Sequence, residues 1–167
     1  MAKLRAMTFP SGETMIRKAI DRIRRGASIE EASRELSWKN FEDFVSYILT
    51  LNGYETVTRH RVGRRAEIDI ISWNHSLALI IDCKHWKKTS KSSLNSIVSK
   101  QIQRSELLIE INYFKGTRME LIPTIVTLVE EEGQLYTGVP IVPVQKFDTF
   151  LRELDGNLEM IYKLQIT

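Results

Sequence analysis

One apolar run in the middle of the chain constrains the fold more than any other feature. Residues 77–81 read Leu-Ala-Leu-Ile-Ile and lead directly into Asp82-Cys83-Lys84. A strand with one wet face alternates apolar and polar side chains, so an unbroken run predicts a strand buried on both faces. Such a strand lies inside a sheet that other elements cover on each side. The run is far shorter than the ~20 residues of a membrane span, and we expect no association with a membrane.

Helical and strand periodicities alternate on either side of this run. The pattern predicts helices over residues 11–25, 28–36, 38–52, 91–114 and 146–154. It predicts strands over residues 54–61, 66–73, 77–84, 122–128, 139–144 and 162–167. This order is typical of an α/β fold around a mixed sheet. Two prolines in residues 139–144 place that strand at an edge of the sheet.

Composition limits the class of protein. The chain has 167 residues, of which 43% are hydrophobic, with a net charge of +3, so it is long enough to bury a core and is not disordered. Cys83 is the only cysteine, which excludes an internal disulfide and a cysteine-rich zinc site. Because no apolar signal segment follows the first charged residues, we expect a cytoplasmic protein. We divide the chain into a helical N-terminal extension, residues 1–36, and an α/β domain, residues 37–167.

Two carboxylates are placed on consecutive predicted strands. Asp69 lies in the strand before the turn at residues 74–76, and Asp82 ends the next one. Alternation of side chains along a strand puts Asp82 and Lys84 on one face and turns Cys83 into the core. If the two strands pair, both carboxylates converge, and with the Cys83 carbonyl they can bind a hard divalent cation. Lys84 can then hold or deprotonate a water, a combination suited to phosphodiester hydrolysis.

Basic residues flank these carboxylates on both sides in the sequence. Cations of this density favour contact with a nucleic-acid backbone. The candidate DNA-binding residues are Arg59, Arg61, Arg64, Arg65, Lys87, Lys88 and Lys91.

Three ordered segments resemble the PD-(D/E)XK nuclease superfamily. They read Phe-Glu-Asp-Phe at 41–44, Ala-Glu-Ile-Asp-Ile-Ile at 66–71 and Ile-Asp-Cys-Lys-His-Trp at 81–86. Within that superfamily, the sequence is most similar to Mrr-like restriction endonucleases and archaeal Holliday junction resolvases, over about residues 37–150. The resemblance implies a restriction endonuclease-like mixed β-sheet flanked by helices, Mg²⁺ as cofactor, for which Mn²⁺ can substitute, and cleavage of DNA.

The resemblance also implies roles for single residues. Glu42 matches the acid of the first core helix, Asp69 the first metal-binding acid, and Asp82 with Lys84 the (D/E)XK pair. Gln101 matches a glutamine found on the next helix in some members. The chain departs from the pattern at residue 68, which is isoleucine where the superfamily has proline, and at Asp82, where glutamate is commoner.

Simpler structural interpretations stand beside these roles. Asp82 and Lys84 can form an ion pair at a strand end without catalysis. Glu42 can be a solvated helix residue, and Gln101 a surface residue. Glu67 is a candidate third ligand, with a salt bridge as the alternative.

The sequence therefore predicts a metal-dependent deoxyribonuclease, an endonuclease acting on branched or otherwise non-B DNA, and a homodimer because two cuts need two sites. One alternative is a nuclease-fold module that binds DNA without cutting it. The other is an RNA-processing endonuclease, which would work without a metal.

Overall fold

A computed structural model describes residues 13–64, 66–85, 91–128 and 134–166. The helices are α1 (Glu13–Arg24), α2 (Ile29–Ser33), α3 (Trp38–Leu51), α4 (Lys91–Glu110) and α5 (Val144–Asn157), with a short 3₁₀ turn at Leu158–Met160. The strands are β1 (Glu55–Val62), β2 (Ala66–Asn74), β3 (Leu77–Lys84), β4 (Glu120–Thr127), β5 (Gln134–Tyr136), β6 (Val139–Pro143) and β7 (Leu164–Gln165). The α/β class and the mixed sheet flanked by helices, with helices at the N-terminal side, are confirmed.

The sheet has the strand order β1-β2-β3-β4-β6-β5, with β7 beside the first residues of β4. The first three strands form an antiparallel meander, whereas β3, β4 and β6 run parallel to one another. The central strand β3 is buried from Ala78 to Cys83, as its unbroken apolar run predicted. Its C-terminal end carries Asp82 and Lys84.

Helices cover the sheet on both faces, so two separate apolar layers form. Leu79, Ile81 and Cys83 of β3 belong to the layer built with α1, α2, α3 and α5. Ala78 and Ile80 belong to the opposite layer, which residues of α4 complete. Asp82 and Lys84 follow the alternation of Ala78 and Ile80 and so lie on the α4 side.

The N-terminal helices share the first of these layers. Ile16 and Ala19 of α1 and Ala32 of α2 are buried in the same cluster as residues of α3, β3 and α5. α2 begins with a full capping box, in which the side chains of Ser28 and Glu31 each accept a hydrogen bond from the other's backbone N–H. The division of the chain between residues 36 and 37 remains a proposal.

Several predicted boundaries differ from the observed ones. α4 ends at Glu110 rather than at residue 114, and β4 begins at Glu120 despite Pro123. The prediction that residues 139–144 form an edge strand is wrong, because β5 pairs with β6 and takes the edge position. β5 was missed since it has only three residues, too few to show a periodicity.

In the part of the chain that the structure describes, no helix combines the length and the apolar character needed to cross a membrane.

Candidate active site

The pairing of β2 with β3 stops at the point where the two predicted acids begin. The register runs from the Asn74–Leu77 pair to the Ile70–Ile81 pair. One step further, the Asp69 carboxylate accepts a hydrogen bond from the Cys83 backbone N–H, with 2.8 Å between Oδ2 and N. A side chain thus takes the place of a main-chain acceptor. The two strands part here, and Asp69 is held against the end of β3.

The backbone of β1 is irregular at Arg59, the position opposite Asp69. Arg59 has a φ of +53°, a left-handed conformation that is uncommon for any residue except glycine. Its neighbours pair regularly with Ile68 and Ile70, so Arg59 faces Asp69 across the strands. Ile68 and Ile70 nevertheless pack in opposite layers, which a regular strand does not allow. This local kink turns Asp69 out of the ladder toward β3.

Asp82 is the most enclosed carboxylate of the site, with 3% of its surface exposed. Lys84 Nζ lies 2.8 Å from its Oδ2 atom and 3.0 Å from Oδ1. An arginine of α4, Arg104, places a guanidinium nitrogen 2.7 Å from Oδ1. A buried carboxylate needs such compensation, because its desolvation costs several kcal/mol. The predicted ion pair with Lys84 is present, and a second cation joins it.

Lys84 is anchored from a second side as well. Its ammonium nitrogen lies 5.9 Å from the centre of the Trp38 ring, within the range of a cation–π contact. Trp38 is the first residue of α3, which Ser37 caps by accepting a hydrogen bond from the Asn40 N–H. The N-terminus of α3 therefore lies beside the end of β3.

Asp69 carries the clearest electrostatic signature of the site. Burial raises the pKa of its carboxyl to about 7, and the negative charges of Asp82 and Glu42 add to this rise. The hydrogen bond from the Cys83 N–H and the charge of Lys84 act in the opposite direction. Among the described residues, no cation forms an ion pair with Asp69. A carboxyl that titrates near neutral pH beside a second carboxylate is typical of a functional site.

Glu42 is buried, with 4% of its surface exposed, so the interpretation as a solvated helix residue is wrong. Burial raises the pKa of Glu42, and hydrogen bonds from Arg59 and Trp38 partly offset that rise. The Arg59 guanidinium bridges two acids of α3, at 3.0 Å from Glu42 Oε2 and 2.8 Å from Asp43 Oδ1. Arg59, predicted to bind DNA, is thus engaged with carboxylates in this structure.

Gln101 is also buried, with 1% of its surface exposed, and the surface interpretation is wrong. Its side-chain amide N–H donates to the Ile80 carbonyl, which fixes α4 against β3. Its amide oxygen is buried and has no hydrogen-bond partner among the described residues. Gln101 therefore lies behind the site, because the residue it bonds to, Ile80, is two positions before Asp82 on β3.

Cys83 is fully buried in the apolar layer, as the alternation predicted. Burial raises the pKa of its thiol well above the ordinary value, with the nearby acids adding to the rise. The thiol is therefore no nucleophile, since the thiolate is the reactive form.

Three of the remaining predicted residues, Arg61, Arg64 and Glu67, are exposed. Glu67 is exposed and pairs with Arg61, with 3.0 Å between Oε2 and Nε. Arg64 is exposed at the β1–β2 turn. Arg65, Lys87, Lys88 and the side chain of Lys91 lie outside the described residues.

The carboxylates of the site suit a hard divalent cation that takes few ligands from the protein. Among the described residues, no three histidine, cysteine, aspartate or glutamate side chains form a metal-binding cluster. Asp69 and Asp82 nevertheless offer two carboxylates at one strand end. Mg²⁺ is commonly held by one or two carboxylates, with water and substrate oxygens filling the other positions. The residues present thus fit such an ion.

Arg104 is the site residue that the sequence reasoning missed. It lies three positions after Gln101 on α4, and residues at this spacing share one face of a helix. Helical spacing from Gln101 was the available signal, because Arg104 and Ser105 lie on the same face of α4. The Ser105 hydroxyl donates to the Gln101 carbonyl. No short motif marks an arginine at this place.

Comparison with known proteins gives two similarities. The chain is 26% identical over 125 residues to an uncharacterized protein of Archaeoglobus fulgidus, which covers 71% of this chain and 92% of that protein. The family model Mrr_cat, described as a restriction endonuclease, matches residues 33–116, about half of the chain. That segment runs from the end of α2 through α4 and contains Glu42, Asp69, Asp82, Lys84 and Arg104. The chain belongs to this Mrr-like restriction endonuclease family of the PD-(D/E)XK nuclease superfamily.

Proposed function

We propose that this nuclease-family chain is a metal-dependent deoxyribonuclease that cuts DNA internally. The observation that carries the proposal is the meeting of Asp69, Asp82 and Lys84 where β2 and β3 part. These are an acid with a pKa of about 7, a buried carboxylate and an ammonium group bound to it. This set suits phosphodiester hydrolysis, in which a water must be activated and the charge on the phosphate must be offset.

Asp69 and Asp82 would hold a divalent cation, with the Cys83 carbonyl as a further oxygen; Mg²⁺ is the proposed ion and Mn²⁺ can replace it. When bound, such an ion polarises a phosphate oxygen and lowers the pKa of water. The ionised form of Asp69 is the one that ligates, so proton release from this residue accompanies binding. Glu67 remains a weaker candidate ligand because it is exposed and paired with Arg61.

Lys84 has the second chemical role in the proposal. Its ammonium group donates to Asp82 and is fixed further by the Trp38 ring, so its position does not depend on substrate. From there it would orient the attacking water and offset negative charge on the phosphate in the transition state. Glu42 adds a negative charge near Asp69, with Arg59 holding it in place.

Branched or otherwise non-B DNA is the proposed substrate, from the resemblance to archaeal Holliday junction resolvases. A homodimer is proposed with it, because paired cuts in two strands need two active sites. The exposed Arg61 and Arg64 are proposed contacts to the DNA backbone, and Arg65, Lys87, Lys88 and Lys91 continue the same basic segments.

The test is a cleavage assay on linear duplex, single-stranded, flapped and four-way-junction DNA, each with Mg²⁺, Mn²⁺ or chelator. Asp82→Asn keeps the shape of the side chain and removes its charge. We expect cleavage only with a metal, and a loss of about a hundredfold or more in this variant. Asp155→Asn serves as the matched control, since Asp155 is an exposed acid of α5.

Three outcomes would contradict the proposal. Full activity of Asp82→Asn would remove Asp82 from the active site, and equal cleavage in chelator would exclude metal dependence. Salt-sensitive DNA binding by the wild type without cleavage under either metal would favour the binding module instead.

A further inference from the structure

Asp82 has two cationic partners that compete with a metal ion for its carboxylate. Lys84 contacts both carboxylate oxygens, and Arg104 occupies Oδ1 as well. These three contacts leave about one of the carboxylate's roughly four lone-pair positions open, on the Oδ2 atom beside Lys84. A divalent cation placed beside two other cations is also repelled by them. Metal binding at Asp82 is therefore favoured when one of the two donors withdraws.

The geometry favours the withdrawal of Arg104 over that of Lys84. Lys84 is two residues from Asp82 on the same strand. It contacts both carboxylate oxygens of Asp82 and also the Trp38 ring. Arg104 comes from another element, the helix α4, and donates to the Oδ1 atom of Asp82. Its side chain is 29% exposed, against 19% for that of Lys84, so it has a path toward solvent.

We propose that Arg104 is an exchange residue, which holds Asp82 in the metal-free protein and moves to a DNA phosphate when a divalent cation takes Asp82. This inference rests on the proposed function, since it assumes that Asp82 binds the metal. A guanidinium leaving a buried carboxylate needs another anion nearby, because an unpaired charge in a half-buried site is costly. The phosphodiester brought to the site is that anion, and the guanidinium fork matches its two oxygens.

Two effects of opposite sign follow from the exchange. Arg104 competes with the metal in the absence of DNA, so its removal strengthens metal binding. Arg104 contacts phosphate during the reaction, so its removal weakens cleavage. A residue with only a structural role would lower metal binding and cleavage together as the site loosened.

The experiment measures Mn²⁺ affinity by electron paramagnetic resonance without DNA, and cleavage of DNA at saturating Mn²⁺ under single-turnover conditions. For Arg104→Gln we expect Mn²⁺ to bind about tenfold more tightly, as the loss of one charge-assisted hydrogen bond implies. We expect its cleavage rate to fall by about a hundredfold. Lys100→Gln is the matched control, because Lys100 is an exposed cation one helical turn earlier on α4, and both quantities should stay near wild type.

Arg104→Lys keeps the positive charge and gives a second test if the glutamine variant folds poorly. Lysine can still compete at Asp82, so Mn²⁺ affinity should stay within a few fold of wild type, while cleavage stays slow because an ammonium lacks the fork. The exchange would be overturned if both Arg104→Lys and Arg104→Gln cleave DNA at the wild-type rate. It would also be overturned if the Mn²⁺ affinity of Arg104→Gln is unchanged.

Asp82→Asn separates this inference from the function on which it rests. If Asp82→Asn loses Mn²⁺ binding and Arg104→Gln behaves as wild type, the exchange alone is wrong. If wild type and Asp82→Asn bind Mn²⁺ equally, the metal site itself is wrong and the exchange falls with it.

Discussion

At the scale of single residues, Asp69 makes the stability of the metal-free protein depend on pH. Its pKa is raised from 3.8 to about 7, first by burial and then by the charge of Asp82. Between these values the folded protein binds a proton that the unfolded chain has lost, so ionisation opposes folding. The free-energy cost of ionising Asp69 in the folded protein is absent below pH 3.8. It grows between pH 3.8 and about pH 7 and is complete above about pH 7. Stability without metal should therefore fall as pH rises.

Asp69→Asn isolates this effect because asparagine keeps the acceptor for the Cys83 N–H and does not titrate. We expect wild type to lose of the order of 2 kcal/mol relative to this variant between about pH 4 and about pH 7, a value reduced for partial exposure. Urea unfolding in chelator at several pH values measures the difference. Parallel pH curves for the two proteins would show that Asp69 titrates as an ordinary carboxyl.

At the scale of elements, sequence patterns predicted those parts of the sheet that are long and regular. β3 was predictable because five apolar residues in succession, 77–81, indicate a strand buried on both faces, and residues 78–83 are buried in the structure. The convergence of Asp69 with β3 was also predictable, from two short strands joined by a tight turn. The kink at Arg59 was not, since its left-handed backbone carries no glycine to mark it. Arg104 was missed for a different reason, because α4 returns to β3 only through tertiary packing.

The turn between β5 and β6 allows a prediction at this scale. Thr137 and Gly138 both have positive φ, at +51° and +82°, the conformation of a type I′ hairpin turn. A Cβ atom on Gly138 would lie 3.0 Å from the Tyr162 backbone nitrogen, whereas one on Gly53, also at +82°, would meet only the Asn74 side chain at 4.0 Å. Gly53→Ala thus isolates backbone strain, and Gly138→Ala adds a clash.

We expect Gly53→Ala to cost about 1 kcal/mol of unfolding free energy and Gly138→Ala about 2–4 kcal/mol. The larger cost arises because backbone atoms of residue 162 cannot move aside as a flexible side-chain end can. Denaturant unfolding of both variants gives the comparison. Equal losses would mean that the chain after α5 shifts freely, and that the strand β5 is not fixed by this turn.

At the scale of the whole molecule, the N-terminal helices α1 and α2 share an apolar core with the nuclease unit, by which we mean residues 37–167. Ile16 and Ala19 of α1 are buried in the same apolar layer as residues of α3 and β3, the elements that carry Glu42 and Asp82. A helix contributing to a shared core stabilises the whole cooperative unit and not only itself. We therefore expect α1 and α2 to fold together with the nuclease unit.

The tryptophans make this coupling measurable. All three, at residues 38, 73 and 86, lie beyond residue 36, so their fluorescence reports only on the nuclease unit. Ile16→Ala removes a buried side chain of α1 and should lower the unfolding free energy by about 2–4 kcal/mol. With coupling, the fluorescence transition shifts to lower denaturant and coincides with the loss of helical circular dichroism. Lys18→Gln, on the exposed face of α1, should leave both transitions in place. An unshifted fluorescence transition in Ile16→Ala, with helix lost earlier, would instead mean that α1 and α2 unfold independently of the active site.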